Sequence, residues 1–306
     1  MDRRQFINQM AAASVVLAGT GFAAYGCTKP ARNIRWSMGW ILWRDFRKAD
    51  IPLDEAIQTI SDLGLNGIEF TPRQEELNYY GFSRGLFRDF LTEKKLAIAG
   101  NYFGADFHNA EKHDDIMTAY MSTLENLIFY GAKNVVIGPP GRGDEAEIPD
   151  KIKAMAPFLN ELGKIAQGFG MEIGLHPHVN TIVETPAEID MIMELTDPRY
   201  VGMAPDTGHI ALGGGNPLAI IKKYSSRLNY FHLKDVAGTF VRPGFGSNLR
   251  ELGNGEVDFP GIMAFLKETG FKGWLNVEQD NTELTPPESA TQSMNYINKT
   301  LKPIYR

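Results

Sequence analysis

Four of the six histidines in this 306-residue chain, His176, His178, His209 and His232, stand beside acids at the ends of apolar runs. Asp206 closes the run that begins at Val201, His232 lies within Tyr230-Phe231-His232-Leu233, and Glu278 follows Trp274-Leu275-Asn276-Val277. A carboxylate at the end of a buried run is costly unless an opposite charge or a metal partners it. Imidazole and carboxylate together make a donor set for Mn²⁺, Mg²⁺, Co²⁺ or Zn²⁺, without selecting among them. One histidine so placed is ordinarily a packed structural residue. Four of them near acids point to a site.

The elements that must position these groups are legible in the spacing of apolar residues. After residue 32, short β-rich runs alternate with longer amphipathic stretches, the rhythm of parallel βα units. Strands are predicted at 34–43, 67–71, 96–103, 134–138, 172–178, 201–206, 229–235 and 274–279. Helices are predicted near 53–63, 84–94, 111–130, 149–169, 186–195, 216–225, 259–269 and 286–301. Thr185-Pro186-Ala187-Glu188 carries an N-cap threonine, a first-turn proline and a returning glutamate, and Asn216-Pro217 repeats the first two devices. Gly64, Gly131, Gly170 and Gly270 fall where a helix end calls for a left-handed residue. Eight units without a Gly-rich dinucleotide fingerprint predict closure into one (βα)8 TIM barrel spanning residues 31–306. In such a barrel, chemistry belongs to the C-terminal ends of the strands, where these histidines and acids are expected.

Composition sets the outer bounds. With 43% hydrophobic and 22% charged residues the chain reads as an ordinary globular protein. The net charge is -6, and the 31 Lys and Arg are dispersed among 37 acids. Nucleic-acid binding needs a clustered basic surface, so nucleic acid is not an expected partner. Residues 1–30 read as an export signal: Arg3-Arg4-Gln5-Phe6-Ile7 is a twin-arginine pattern, and the apolar run from Met10 to Ala24 is too short to span a membrane. Ala24-Tyr25-Gly26-Cys27 resembles a lipoprotein cleavage box, which would make Cys27 a lipid-bearing residue and the only membrane attachment. The expected location is the periplasm or, through that anchor, the cell envelope. Cys27 is the only cysteine, so neither disulfides nor thiolate ligands are expected in the exported domain.

The chain resembles the sugar isomerase/epimerase barrels related to xylose isomerase, and within them the inosose dehydratases. The resemblance spans residues 33–303. It rests on Gly67-Ile68-Glu69-Phe70, His176-Pro177-His178 with Val183-Glu184-Thr185, and Asp206-Thr207-Gly208-His209. It extends through His232-Leu233-Lys234-Asp235, Gly253-Asn254-Gly255-Glu256-Val257-Asp258 and Val277-Glu278-Gln279-Asp280. The resemblance implies one divalent cation held by Asp206, His232, Glu278 and a strand-five glutamate. At that last position the chain has His176 instead; either His176 ligates or Glu184 swings in, and Glu184 is favoured because it restores a charge pattern suited to a hard cation.

The chemistry implied is proton abstraction next to a carbonyl. The base would be Glu278, Glu184 or His178, with His209 or Lys234 donating to the developing oxyanion or to a leaving hydroxyl. His176, Glu69, Trp40 and Arg242 are candidate substrate contacts, Arg242 for an anionic substituent. The leading expectation is a metal-dependent isomerase or epimerase of a keto sugar or keto-glycoside. A lyase, either inosose dehydratase-like or eliminating from a 3-keto-glycoside, is the alternative, and a non-catalytic sugar-binding barrel is a third.

Overall fold

The computed structural model describes residues 34–44, 52–70 and 74–305; the expected export signal, with Cys27, lies outside the described residues. Eight parallel strands are present: β1 Ile34–Gly39, β2 Gly67–Glu69, β3 Ala97–Gly104, β4 Asn134–Gly138, β5 Glu172–Leu175, β6 Val201–Met203, β7 Tyr230–Leu233 and β8 Gly273–Val277. Their hydrogen-bonded order is β6-β5-β4-β3-β2-β1-β8-β7, which leaves β6 and β7 as the two ends of the sheet. Those ends meet. Met203 pairs with Leu228 and Asp206 with His232 in parallel bridges, and His232 N donates to Pro205 O at 3.0 Å. The sheet thereby closes into a TIM barrel.

Helices follow the strands and cover the outside. Leu53–Asp62 buries Leu53, Ala56, Ile57 and Ile60, one face of a 3.6-residue period, against the sheet. Pro186–Leu195 opens with the expected reciprocal cap between Thr185 and Glu188, and Asn216 caps Pro217–Lys223. The four glycines read as helix terminators all have positive φ. Among the described residues, no helix is long and apolar enough to cross a membrane.

Several strands stop earlier than their apolar runs suggest. β1 gives way at Trp40 to a 3₁₀ turn, Trp40–Trp43, in which Trp40, Leu42 and Trp43 are all buried, a pattern that strand alternation cannot supply. β5 ends at Leu175; His176 N still donates to Ile137 O, but Pro177 has no N–H with which to continue the ladder. β6 likewise ends before Pro205, and Asp206 then caps a short helix, Thr207–Leu212, that the apolar pattern did not reveal. A second unforeseen helix spans Gln74–Tyr79.

After β7 the chain forms a two-residue antiparallel ribbon, Asp235–Val236 with Leu249–Arg250. The Asp235 carboxylate accepts from the backbone N–H of Val236 at 3.0 Å, Gly253 at 2.9 Å, Gly255 at 2.9 Å and Val257 at 3.2 Å. A Cβ at position 255 would lie 2.2 Å from Asp235 Oδ1, so the Gly253-Asn254-Gly255 stretch serves close backbone approach.

Candidate metal centre and substrate pocket

Four neighbouring strands deliver His176, Asp206, His232 and Glu278 to one end of the barrel, and one ligand atom of each lies within 4.8 Å of all the others. The cap on Thr207–Leu212 orients Asp206: Oδ1 accepts from His209 N at 2.7 Å, while Oδ2 is buried without a hydrogen bond. Glu278 Oε2 is in the same condition. Two buried carboxylate oxygens that make no hydrogen bond, facing two imidazoles, are a donor set that fits a divalent cation.

His232 stands in the middle of this group. Its Nδ1 lies 2.7 Å from His176 Nδ1 and 3.2 Å from Glu278 Oε2; its Nε2 lies 2.7 Å from Glu69 Oε2. Burial disfavours an imidazolium there, but the Glu278 and Glu69 carboxylates outweigh it and carry the pKa up to about 9. Burial pushes Asp206 up to about 7 even though the Lys234 ammonium pulls the other way. For Glu278, burial is outweighed by His232 and Lys234, which keep it below the usual carboxylate range.

Lys234 is completely buried. Its Nζ donates to Asp280 Oδ2 at 2.6 Å and lies 2.8 Å from His209 Nε2, 3.3 Å from Asp206 Oδ2 and 3.5 Å from Glu278 Oε2. Burial works against the ammonium, but Asp206, Asp280 and Glu278 together raise its pKa. Burial and the nearby Lys234 charge hold His209 and His178 below the ordinary imidazole value. The His178 and His209 rings lie 3.6 Å apart between centroids, and Phe245 covers both. Nitrogens of His176, His178 and His209 also fall within 4.8 Å of one another. That group holds no carboxylate, and Lys234 Nζ already occupies the His209 Nε2 lone pair, so it is the poorer donor set of the two.

Glu184 does not join the cluster. Its carboxylate pairs with the Arg242 guanidinium, accepts from Asn180 N at 2.7 Å and lies 3.8 Å from Arg142. This corrects the expectation that Glu184 is the strand-five ligand or the base: the intervening loop carries it to the rim, and His176 stands at the strand-five place. Arg242, expected to meet an anionic substituent, is engaged by that same carboxylate. Glu69, expected to contact substrate, has Oε2 on His232, although it also borders the cavity. His108 and His113, the remaining two histidines, are half-buried outside the cluster, and His113 stacks on Phe158.

A cavity of about 330 Å³ opens beside the cluster, lined among others by Trp40, Phe70, Tyr102, His176, His178 and Glu278. Trp40 stacks on Phe70 with centroids 4.9 Å apart, and Tyr102 meets the His176 ring edge-on at 5.5 Å. An apolar wall opposite convergent polar groups, in a cavity of this size, suits a small polyol. Asp280 and Phe245 were not foreseen. Asp280 had a signal, two residues beyond Glu278; Phe245, far along an irregular segment, had none.

Residues 57–300 match the model of the xylose isomerase-like TIM barrel family. An inosose dehydratase of Clostridium beijerinckii is 31% identical over 265 residues, covering 78% of this chain and 88% of that protein. Two solved structures share the fold. The IOLI protein with a binding zinc atom has a TM-score of 0.70 and 20% identity, covering 89% of this chain and 98% of that one. L-ribulose 3-epimerase has a TM-score of 0.70 and 16% identity, covering 89% and 95%. The chain therefore belongs to the xylose isomerase-like TIM barrel family.

Proposed function

We propose that this chain is a divalent-cation-dependent enzyme that removes a proton next to the carbonyl of a keto sugar or keto-glycoside and completes turnover by isomerisation or epimerisation. The observation that carries this reading is the pair of buried carboxylate oxygens that make no hydrogen bond, Asp206 Oδ2 and Glu278 Oε2, facing His176 and His232 beside an aromatic-walled cavity. A divalent cation held by these four residues would offset the negative charge that builds on the substrate's carbonyl oxygen.

The chain's own groups supply the rest. Trp40 and Tyr102 present ring surfaces against which a sugar can lie. His178 Nδ1 is 2.6 Å from Val179 O, so its hydrogen sits there and the Nε2 lone pair is free to accept a proton. Lys234 donates to His209 Nε2, which leaves the hydrogen of a neutral His209 on Nδ1, a buried donor without a partner. The two adjacent rings thus offer one acceptor and one donor. Return of the proton to the neighbouring carbon gives an isomer, and to the opposite face an epimer.

Elimination is the second reading. It is favoured by the 31%-identical relative, an inosose dehydratase, and by the His209 donor, since a departing hydroxyl needs a proton, which His209 can give from Nδ1 while Lys234 passes one to its Nε2. NMR in D₂O separates the readings, using purified metal-loaded enzyme with keto sugars and 3-keto-glucosides. Deuterium entering beside the carbonyl without loss of water or aglycone marks isomerisation, and an unsaturated product marks elimination. No deuterium uptake and no new product across the panel would overturn the proposal. The proposal also places the enzyme in the periplasm or on a Cys27 lipid anchor, supported by the sequence of residues 3–7 and 24–27.

A further inference from the structure

β2 is three residues long, and its pairing with β3 slips between Ile68 and Glu69. An irregularity of this kind bends a strand and re-aims the next side chain. Here the Glu69 carboxylate reaches β7, 163 residues away in the chain, where Oε2 lies 2.7 Å from His232 Nε2. The contact is dry, with Glu69 only 9% exposed and His232 not at all.

A carboxylate accepts and does not donate, so the hydrogen in this contact belongs to His232 Nε2. A neutral His232 then carries its lone pair on Nδ1, the nitrogen that faces His176 Nδ1 and Glu278 Oε2. We infer that Glu69 is a positioning residue for the cation: it sets the tautomer and ring orientation in which His232 ligates, and it is not a substrate ligand. This rests on the cation site proposed above. A carboxylate behind a ligating imidazole strengthens the ligand, and removing such a partner typically costs about 10- to 100-fold in metal affinity.

The test is a competition titration of full-length protein, stripped of metal and then titrated with Zn²⁺ against a chromophoric chelator. Glu69→Gln, close to isosteric, is compared with wild type. The expected result is affinity about 10- to 100-fold weaker, unchanged stoichiometry at saturation, and an unchanged KM once the site is filled. Unchanged affinity, or a raised KM with affinity intact, overturns the inference. Should wild type itself take up no cation, the proposed cation site fails, and this inference falls with it. A second measurement needs no variant. In ¹⁵N-histidine-labelled, Zn²⁺-loaded wild type, the His232 ring should show a protonated Nε2 and a metal-bound Nδ1; the opposite tautomer overturns the assignment.

Discussion

Asp206 and His232 are bridge partners across the seam where β6 meets β7, so two candidate ligands also form the last pairing that closes the barrel. Asp206 has separate tasks for its two oxygens, Oδ1 capping a helix and Oδ2 facing the cluster. Asp206→Asn keeps a cap-competent oxygen and removes the charge. We expect metal uptake and turnover to be lost, and, because the change also removes a carboxylate 3.3 Å from the buried Lys234 ammonium, a lower melting temperature than metal-free wild type. Asp206→Ala should lose the cap as well, at a cost of about 1 kcal/mol. Metal analysis with thermal melts checks both. Full loading of Asp206→Asn would count against the assignment.

The raised His232 pKa makes a prediction about pH. The folded value, about 9, lies above the ordinary imidazole value near 6.5, so the stabilisation is complete below about pH 6.5 and is lost as pH climbs through about 9. Asp206, raised to about 7, acts in the same direction up to that pH, because the fold holds a proton that the unfolded chain releases. Each pH unit between folded and unfolded values corresponds to about 1.4 kcal/mol. Protein kept metal-free by a chelator should therefore melt progressively lower from pH 6.5 to 9, and this decline should shrink in His232→Gln. A cation displaces the same proton, so its affinity should climb over that interval. A flat melting profile would contradict this.

Glu184 and Arg242 pair at the rim, outside the cluster. Glu184→Gln and Arg242→Ala should each bind as much metal as wild type. Arg242 is 45% exposed on its side chain but Glu184 only 3%, so Arg242→Ala, which leaves a buried carboxylate to Arg142 and the Asn180 N–H, should lower the melting temperature more than Glu184→Gln does. The kinetic effect of Arg242→Ala should fall on KM, through the loop that places Phe245 over His178 and His209. Loss of metal from Glu184→Gln would restore it as a ligand.

Tyr102 packs against Gly138, where an added Cβ would lie 1.9 Å from its hydroxyl oxygen. Gly138→Ala should push the ring aside, and Tyr102→Ala should remove it. Both are expected to raise KM by about 10-fold, the worth of one stacking contact, with metal content unchanged. Steady-state kinetics on whichever substrate the D₂O panel identifies would decide.

Replacing Arg3 and Arg4 with lysine should retain the protein inside the cell, and Cys27→Ser should abolish any lipid attachment without affecting the folded domain. Fractionation with metabolic lipid labelling checks the two separately. Export that ignores the arginine pair would remove the twin-arginine reading.

Barrel strands are buried on both faces and so read as short continuous apolar runs, which is why all eight could be placed from sequence. Their ends were less legible. Pro177 and Pro205 interrupt the ladders, so His176 makes the last bond of its strand, to Ile137 O, while His178 and Asp206 sit just past theirs. Residue type and order were enough to propose Asp206, His232 and Glu278. The choice between His176 and Glu184 was not readable, because it turns on the path of the loop between them and on Arg242, which arrives from 58 residues further along the chain.

The four backbone donors gathered on Asp235 fasten both feet of the segment from Ala237 to Glu256 to the barrel rim. Between those feet the stretch from Val241 to Gly244 is exposed. Apart from Arg242, which pairs with Glu184, and Pro243, whose carbonyl accepts from Asn180, a strap tied down in this way tolerates new residues at its crest without disturbing the strand ends beneath. Drift among descendants of such a chain can therefore gather at Val241 and Gly244, which touch little else, while the barrel beneath stays as it is.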